Sequence, residues 1–154
     1  MGTRLTPMHH TRAQLDAHTR TFSQLLSSTR RGARLARLIG TAELRSWDVP
    51  FELYARAETV IAELAANAAF HGRVPGRSFR LTLRFTPPGG PLRIEVTDAR
   101  GDLRPELRPT PADTDELAPT GRGLALVSAL TDHWDTVSHP PSGKTVRATL
   151  THHP

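Results

Sequence analysis

Apolar positions change their period as the chain runs, and each period predicts an element. Between Ser28 and about Arg45, Leu35, Leu38, Ile39 and Ala42 fall at i, i+3, i+4 and i+7, which predicts an amphipathic helix that Pro50 prevents from continuing. A second helix is predicted from Phe51 to His71, with Leu53, Ala57, Val60, Ile61, Leu64 and Ala68 on one face and Gly72 as its C-cap. The period then drops to two. In SFRLTLRF (78–85) Phe79, Leu81, Leu83 and Phe85 point one way, and in PLRIEVTD (91–98) Leu92, Ile94 and Val96 do the same, with TPPGG as the turn between them. GRGLALVSALTDHW (121–134) opens a short helix, and DTVSH with KTVRATL forms a second hairpin around PPSG. TFSQLL (21–26) reads as a short edge strand. Strand, helix, helix, strand, strand, loop, helix, strand, strand predicts an α+β two-layer sandwich, with helices on one face of a mostly antiparallel or mixed sheet.

Three features break the apolar logic. Glu63, Asn67 and His71 follow one another at intervals of four inside the second helix, a stripe that turns about 40° per step along the margin of the buried face. An amide oxygen with waters suits Mg²⁺, and a carboxylate one turn earlier suits deprotonation of a nucleophile. His71 also suits the last helical turn, where an imidazole meets unpaired carbonyls. Asp98, counted by two from Leu92, falls on the inward face, where a carboxylate must be paired or must read a ligand; a turn or N-cap role is the alternative. Gly121 and Gly123 flank Arg122 just ahead of a helix, where backbone N–H groups can approach an anion. The spacing matches neither a Walker A loop nor a dinucleotide fingerprint.

Composition changes this picture little. The 154 residues suit a single domain: a polar arm over 1–20, a domain over 21–151, and a long irregular loop over 99–120 whose length marks it as functional. The chain lacks cysteine, a run apolar enough to span a membrane and the apolar core of a secretory signal, all of which point to a cytoplasmic protein. The net charge of +5 invites a nucleic-acid reading, but arginine supplies the basic residues save Lys144, and they are scattered, as coding composition would leave them.

ELAANAAFHG, VTDARGD, GRGLALVSAL and GKTVRATL, in that order, resemble the N, G1, G2 and G3 boxes of the GHKL ATPase superfamily, which shares the Bergerat ATP-binding fold. Within it the chain is most similar to the small bacterial anti-sigma-factor serine/threonine kinases of actinomycetes. The resemblance covers about residues 21–150. It implies ATP and Mg²⁺ as cofactors, with Glu63 as the base toward a protein hydroxyl and Asn67 as the Mg²⁺ ligand. It implies that Asp98 accepts a hydrogen bond from the adenine 6-amino group, with Thr145 helping beside it. Gly121, Arg122, Gly123 and Leu124, at the helix start, would cradle phosphates; His71 and Gly101 would complete the nucleotide contacts, and 99–120 would be the ATP lid. The implied partners are a sigma factor and its antagonist (anti-anti-sigma) protein. A homodimer through the first helix and TFSQLL is a further expectation, without direct nucleic-acid or membrane contact.

The chain departs from that pattern at three places. Arg100 and Asp102 stand where the G1 box has glycines, and Gly101 lies between them; a non-catalytic ATP-binding switch is the alternative they favour. Arg147 stands where this branch often has tryptophan. SWD and HWD stand where it often has Trp-Gly, and an aspartate tolerates the left-handed conformation that such a glycine supplies.

Overall fold

Strands rich in β-branched and aromatic residues pair into one five-stranded sheet, β1-β2-β3-β5-β4, in which every pairing among the described strands is antiparallel. The computed structural model describes residues 18–71, 76–99 and 122–154. The elements are β1 (Arg20–Ser27), α1 (Arg30–Ser46), α2 (Phe51–Phe70), β2 (Ser78–Phe85), β3 (Leu92–Asp98), α3 (Arg122–Leu130), β4 (His133–Ser138) and β5 (Lys144–Leu150). The predicted α+β sandwich is observed, with β1 and β4 as the edges.

Period-two alternation decides which face of the sheet is covered. Phe79, Leu81, Leu83 and Phe85 on β2, Leu92, Ile94 and Val96 on β3, and Val146, Ala148 and Leu150 on β5 are all buried, while the intervening positions are wetter. Helix α2 lies over this apolar face between α1 and α3, and its predicted stripe (Leu53, Ala57, Val60, Ile61, Leu64, Ala68) is buried throughout.

The predicted face of α1 is wrong. Leu35, Leu38 and Ala42 are exposed and Ile39 is only half-buried; the buried positions are Gly32, Ala36, Gly40, Thr41 and Leu44. The cause is close approach. A Cβ on Gly40 would lie 3.2 Å from both Ile61 Cδ1 and Leu81 Cδ2, so α1 sits tightly on α2 and the sheet through its small residues. Thr29 caps the helix, its hydroxyl accepting from the Gly32 N–H at 3.0 Å.

The two Trp-Asp sequences part company. Asp48, after α1, takes φ of 53°, the left-handed conformation that the sequence predicts there. Asp135 instead sits inside β4 opposite Arg147 and accepts a 2.8 Å hydrogen bond from its Nε. The aspartate of HWD therefore answers the arginine at 147 rather than shaping a turn. The third helix, opened within 121–134 as expected, ends at Leu130. Asp132 follows, and its carboxylate accepts from the backbone N–H and hydroxyl of Thr151 at 2.6 and 2.9 Å.

Arg56 on α2 ties these ends together. It donates to Leu130 O at 3.0 Å, Thr151 O at 2.8 Å and Glu52 Oε1 at 2.9 Å, and lies 3.4 Å from Asp132 Oδ2. Nothing in the periodicity singles out this arginine.

Candidate nucleotide site

One end of the sandwich gathers the unusual polar groups. Helix α2 ends at Phe70, and the chain re-enters the sheet at Ser78, beside the rung on which Arg80 pairs with Thr97. The C-terminal part of α2, which carries Glu63 and Asn67, therefore lies at the same end as Asp98. The α2 contact with α3 brings the start of the third helix to the same place.

Glu63 meets that start directly. A Cβ built on Gly123 would fall 2.5 Å from Glu63 Oε2, so the carboxylate occupies the space that glycine leaves open. Glu63 is half-buried, and desolvation raises its carboxyl above the ordinary glutamate range. Asn67, one turn on, is also half-buried. Burial is the cause of the Glu63 shift, with no hydrogen-bond partner among the described residues contributing to it. His71 is exposed and caps α2, its backbone N–H donating to Asn67 O at 2.9 Å. Leu124 is buried in the first turn of α3. Gly101, Gly121, the lid 99–120 beyond Ala99 and the side chain of Arg122 lie outside the described residues.

Asp98 is inward and buried, as alternation predicts, and it is charge-balanced. On the next strand Lys144 occupies the rung opposite, with Nζ 3.2 Å from Asp98 Oδ2 and both side chains at most 3% exposed. The turn between β4 and β5 closes against this pair: Gly143 takes φ of +104°, and a Cβ there would lie 3.1 Å from Asp98 O.

Thr145 does not face Asp98. It pairs with Thr97 on the next rung, which alternation turns to the other side of the sheet, and its hydroxyl lies 2.7 Å from Thr97 Oγ1 and 2.7 Å from His139 Nε2. The β5 side chain beside Asp98 is thus Lys144, which the sequence reading passed over. Its signal was present: counting inward by two from Leu150 through Ala148 and Val146 arrives at Lys144.

The donor set fits a nucleotide better than a protein-held metal. Among the described residues no three His, Asp or Glu side chains converge as metal ligands. One amide at Asn67 suits a Mg²⁺ that takes most of its ligands from phosphates and water. A buried carboxylate–ammonium pair at the sheet end suits the polar edge of a base, and the glycine at 123 admits the Glu63 carboxylate to the helix start.

Comparison with known proteins decides the family. The sequence profile described as histidine kinase-like ATPase domain matches residues 26–150. The chain belongs to that family. Membership in an ATPase domain family implies ATP binding. The fold is also that of a solved structure, the RsbU and RsbW domains of Rv1364c from Mycobacterium tuberculosis, with a TM-score of 0.64 and 20% identity over 88% of this chain. The match spans 33% of that longer chain. No curated protein matches significantly. No helix among the described residues is long and apolar enough to cross a membrane.

Proposed function

We propose that this histidine kinase-like ATPase domain binds Mg·ATP between α2, the Asp98 end of β3 and the start of α3, and phosphorylates a serine or threonine of a partner protein. The observation that carries the reading is the seat of the Glu63 carboxylate against Gly123. A half-buried carboxylate with a raised pKa beside the helix start that would face the phosphates supports a base at this position.

Asn67 would hold the Mg²⁺ through its amide oxygen. Asp98 would accept from the adenine amino group, and the backbone N–H groups opening α3 would meet phosphate oxygens. Bound Mg·ATP supplies the transferable γ-phosphoryl group. Glu63 would take the proton from the partner's hydroxyl as that oxygen attacks, and it can do so only in its ionised form. Burial helps by making Glu63 a stronger base than a solvated glutamate. Residues 99–120, outside the described residues, would form the lid.

The similarity of GRGLALVSAL and its companions to the anti-sigma-factor kinases, together with the RsbW-containing structural neighbour, supports a sigma factor as the sequestered protein and its antagonist as the phosphorylated one. Two experiments test this. Full-length protein used as bait with and without Mg·ATP, read by mass spectrometry, should retain a sigma factor and return a phosphorylated antagonist. Titration with Mg·ATP should raise the melting temperature. A protein with neither ATP response nor phosphotransfer to any captured partner would refute the reading.

A further inference from the structure

Lys144 is the chain's sole lysine, and it is among the most buried side chains of the fold, at 2% exposure. A lysine is rarely buried to that degree unless paired. Its ammonium lies 3.2 Å from Asp98 Oδ2, across the last rung of the β3–β5 ladder, at the end of the sheet where the nucleobase would be read. Resting on the ATP-binding reading above, we propose that Lys144 is the specificity-determining residue of the nucleobase end: with Asp98 it makes an acceptor–donor pair whose polarity is fixed by charge, and that polarity selects a 6-aminopurine over a 6-oxopurine.

The physical basis is the hydrogen-bonding inventory of the two groups. An ionised carboxylate only accepts and an ammonium only donates, so neither can reverse its role. A 6-aminopurine presents a donor, the amino N–H, next to an acceptor, the ring N1; it complements the pair. A 6-oxopurine presents an acceptor at O6 next to a donor at N1–H, which sets like against like at both positions. Neutral groups would discriminate less, since a hydroxyl, a side-chain amide or a protonated carboxyl can each both donate and accept. Thr145 cannot supply the donor, because it lies on the opposite face in contact with Thr97 and His139.

Lys144 also keeps Asp98 in the form that accepts. In a setting 3% exposed, desolvation favours the neutral acid, and the adjacent ammonium opposes that. Among the described residues, the other titratable groups at this end are His139 in the β4–β5 turn and Glu63 and His71 on α2.

The test uses the full chain with Mg²⁺ and calorimetric titration by ATP and by inosine triphosphate, which differs from ATP only in the group at purine C6, between pH 6 and 8. The parent should prefer ATP by roughly 10- to 100-fold, the discrimination of a good two-bond base contact, with a ratio flat in pH. In Lys144→Met, which removes the donor beside Asp98, the preference should fall below the parental ratio. Lys144→Arg should keep the parental ratio. If Lys144→Met does not melt cooperatively, Lys144→Gln, polar but uncharged, carries the same comparison. Equal affinity of the parent for the two nucleotides overturns the inference, as does a parental ratio in the uncharged variant. A parent that binds neither nucleotide overturns the ATP reading itself, and this inference with it.

Discussion

Replacing Gly123 with alanine separates the proposed role of Glu63 in phosphotransfer from any role in folding. The new Cβ would stand 2.5 Å from Glu63 Oε2 and 3.5 Å from its Cδ. Ordinary contact requires about 1 Å more, so one partner must yield. The carboxylate is the far end of a flexible side chain, and it moves more readily than the helix backbone. Turning it away from its preferred rotamer costs about 0.5–1.5 kcal/mol. Alanine in place of a helical glycine returns about 0.5–1 kcal/mol. The two nearly cancel, so the melting temperature of Gly123→Ala should stay within about 3 °C of the parent. Catalysis has no such compensation. A base displaced by about 1 Å from its working position is expected to lower transfer on the order of 10²-fold. The assay is transfer of labelled γ-phosphate to the partner captured by the parent, alongside calorimetric melting. A second arm uses Glu63→Asp, whose carboxylate is one methylene shorter and clears the added methyl. Gly123→Ala should then cause little further loss on that background. Parental transfer rates in Gly123→Ala, at a parental melting temperature, would refute the placement of Glu63 as the base.

Three other expectations follow from named groups. Glu63→Gln should lose transfer by roughly 10²–10⁴-fold yet melt higher than the parent at pH 7. Because burial raises this carboxyl in the folded state, its ionisation opposes folding above that pKa; the stability gain should therefore vanish as pH falls below the unfolded value of 4.5, and a gain that persists there would contradict it. Desolvation pushes the Asp132 carboxyl up, but the Thr151 N–H and hydroxyl together with His153 outweigh it and hold it at about 2, against 3.8 unfolded. Its contribution, about 1 kcal/mol once solvent screening is allowed for, should be present above pH 4 and lost as pH falls through 2; a parental acid-unfolding curve in Asp132→Asn would count against it. Asp48→Gly relieves a left-handed conformation and should stabilise by about 0.5 kcal/mol, read as a rise in melting temperature, whereas Asp48→Val should lower it.

What could be read in advance depended on which physical rule was in command locally. Strands β2, β3 and β5 and the buried stripe of α2 obey strict periodicity because each has a single apolar face to cover, and they were legible almost to the residue. Asp98 was legible for the same reason, as the polar member of an inward series. The face of α1 was not, since large apolar residues were taken as the buried ones. Leu35 and Leu38 instead lie outside, and Gly32, Ala36 and Gly40 face in; at Gly40 nearness to Ile61 and Leu81 excludes anything larger, and at Gly32 nearness to the Ser27 backbone does. Thr145 was assigned by its place in a motif, without the parity of the strand being carried through to it. Arg56 and Asp132 could not be found from pattern at all, because their partners are backbone carbonyls and N–H groups far away in sequence.

Small residues, which hid the face of α1, also account for the stripe on α2. A helix covered by another helix on each side and by a sheet beneath has little free circumference, and Ala57, Ala65, Ala68 and Ala69 let those neighbours close in. The margin that remains between the sheet and α3 is narrow, and Glu63 and Asn67 fall on it four residues apart, neither fully buried nor fully solvated. Full burial would demand a permanent partner for each, and full exposure would return Glu63 to an ordinary carboxylate. Close packing around α2 is therefore what gives the polar stripe its half-buried setting: larger residues in place of the alanines would lift α3 away, put water between Gly123 and Glu63, and leave a solvated glutamate there.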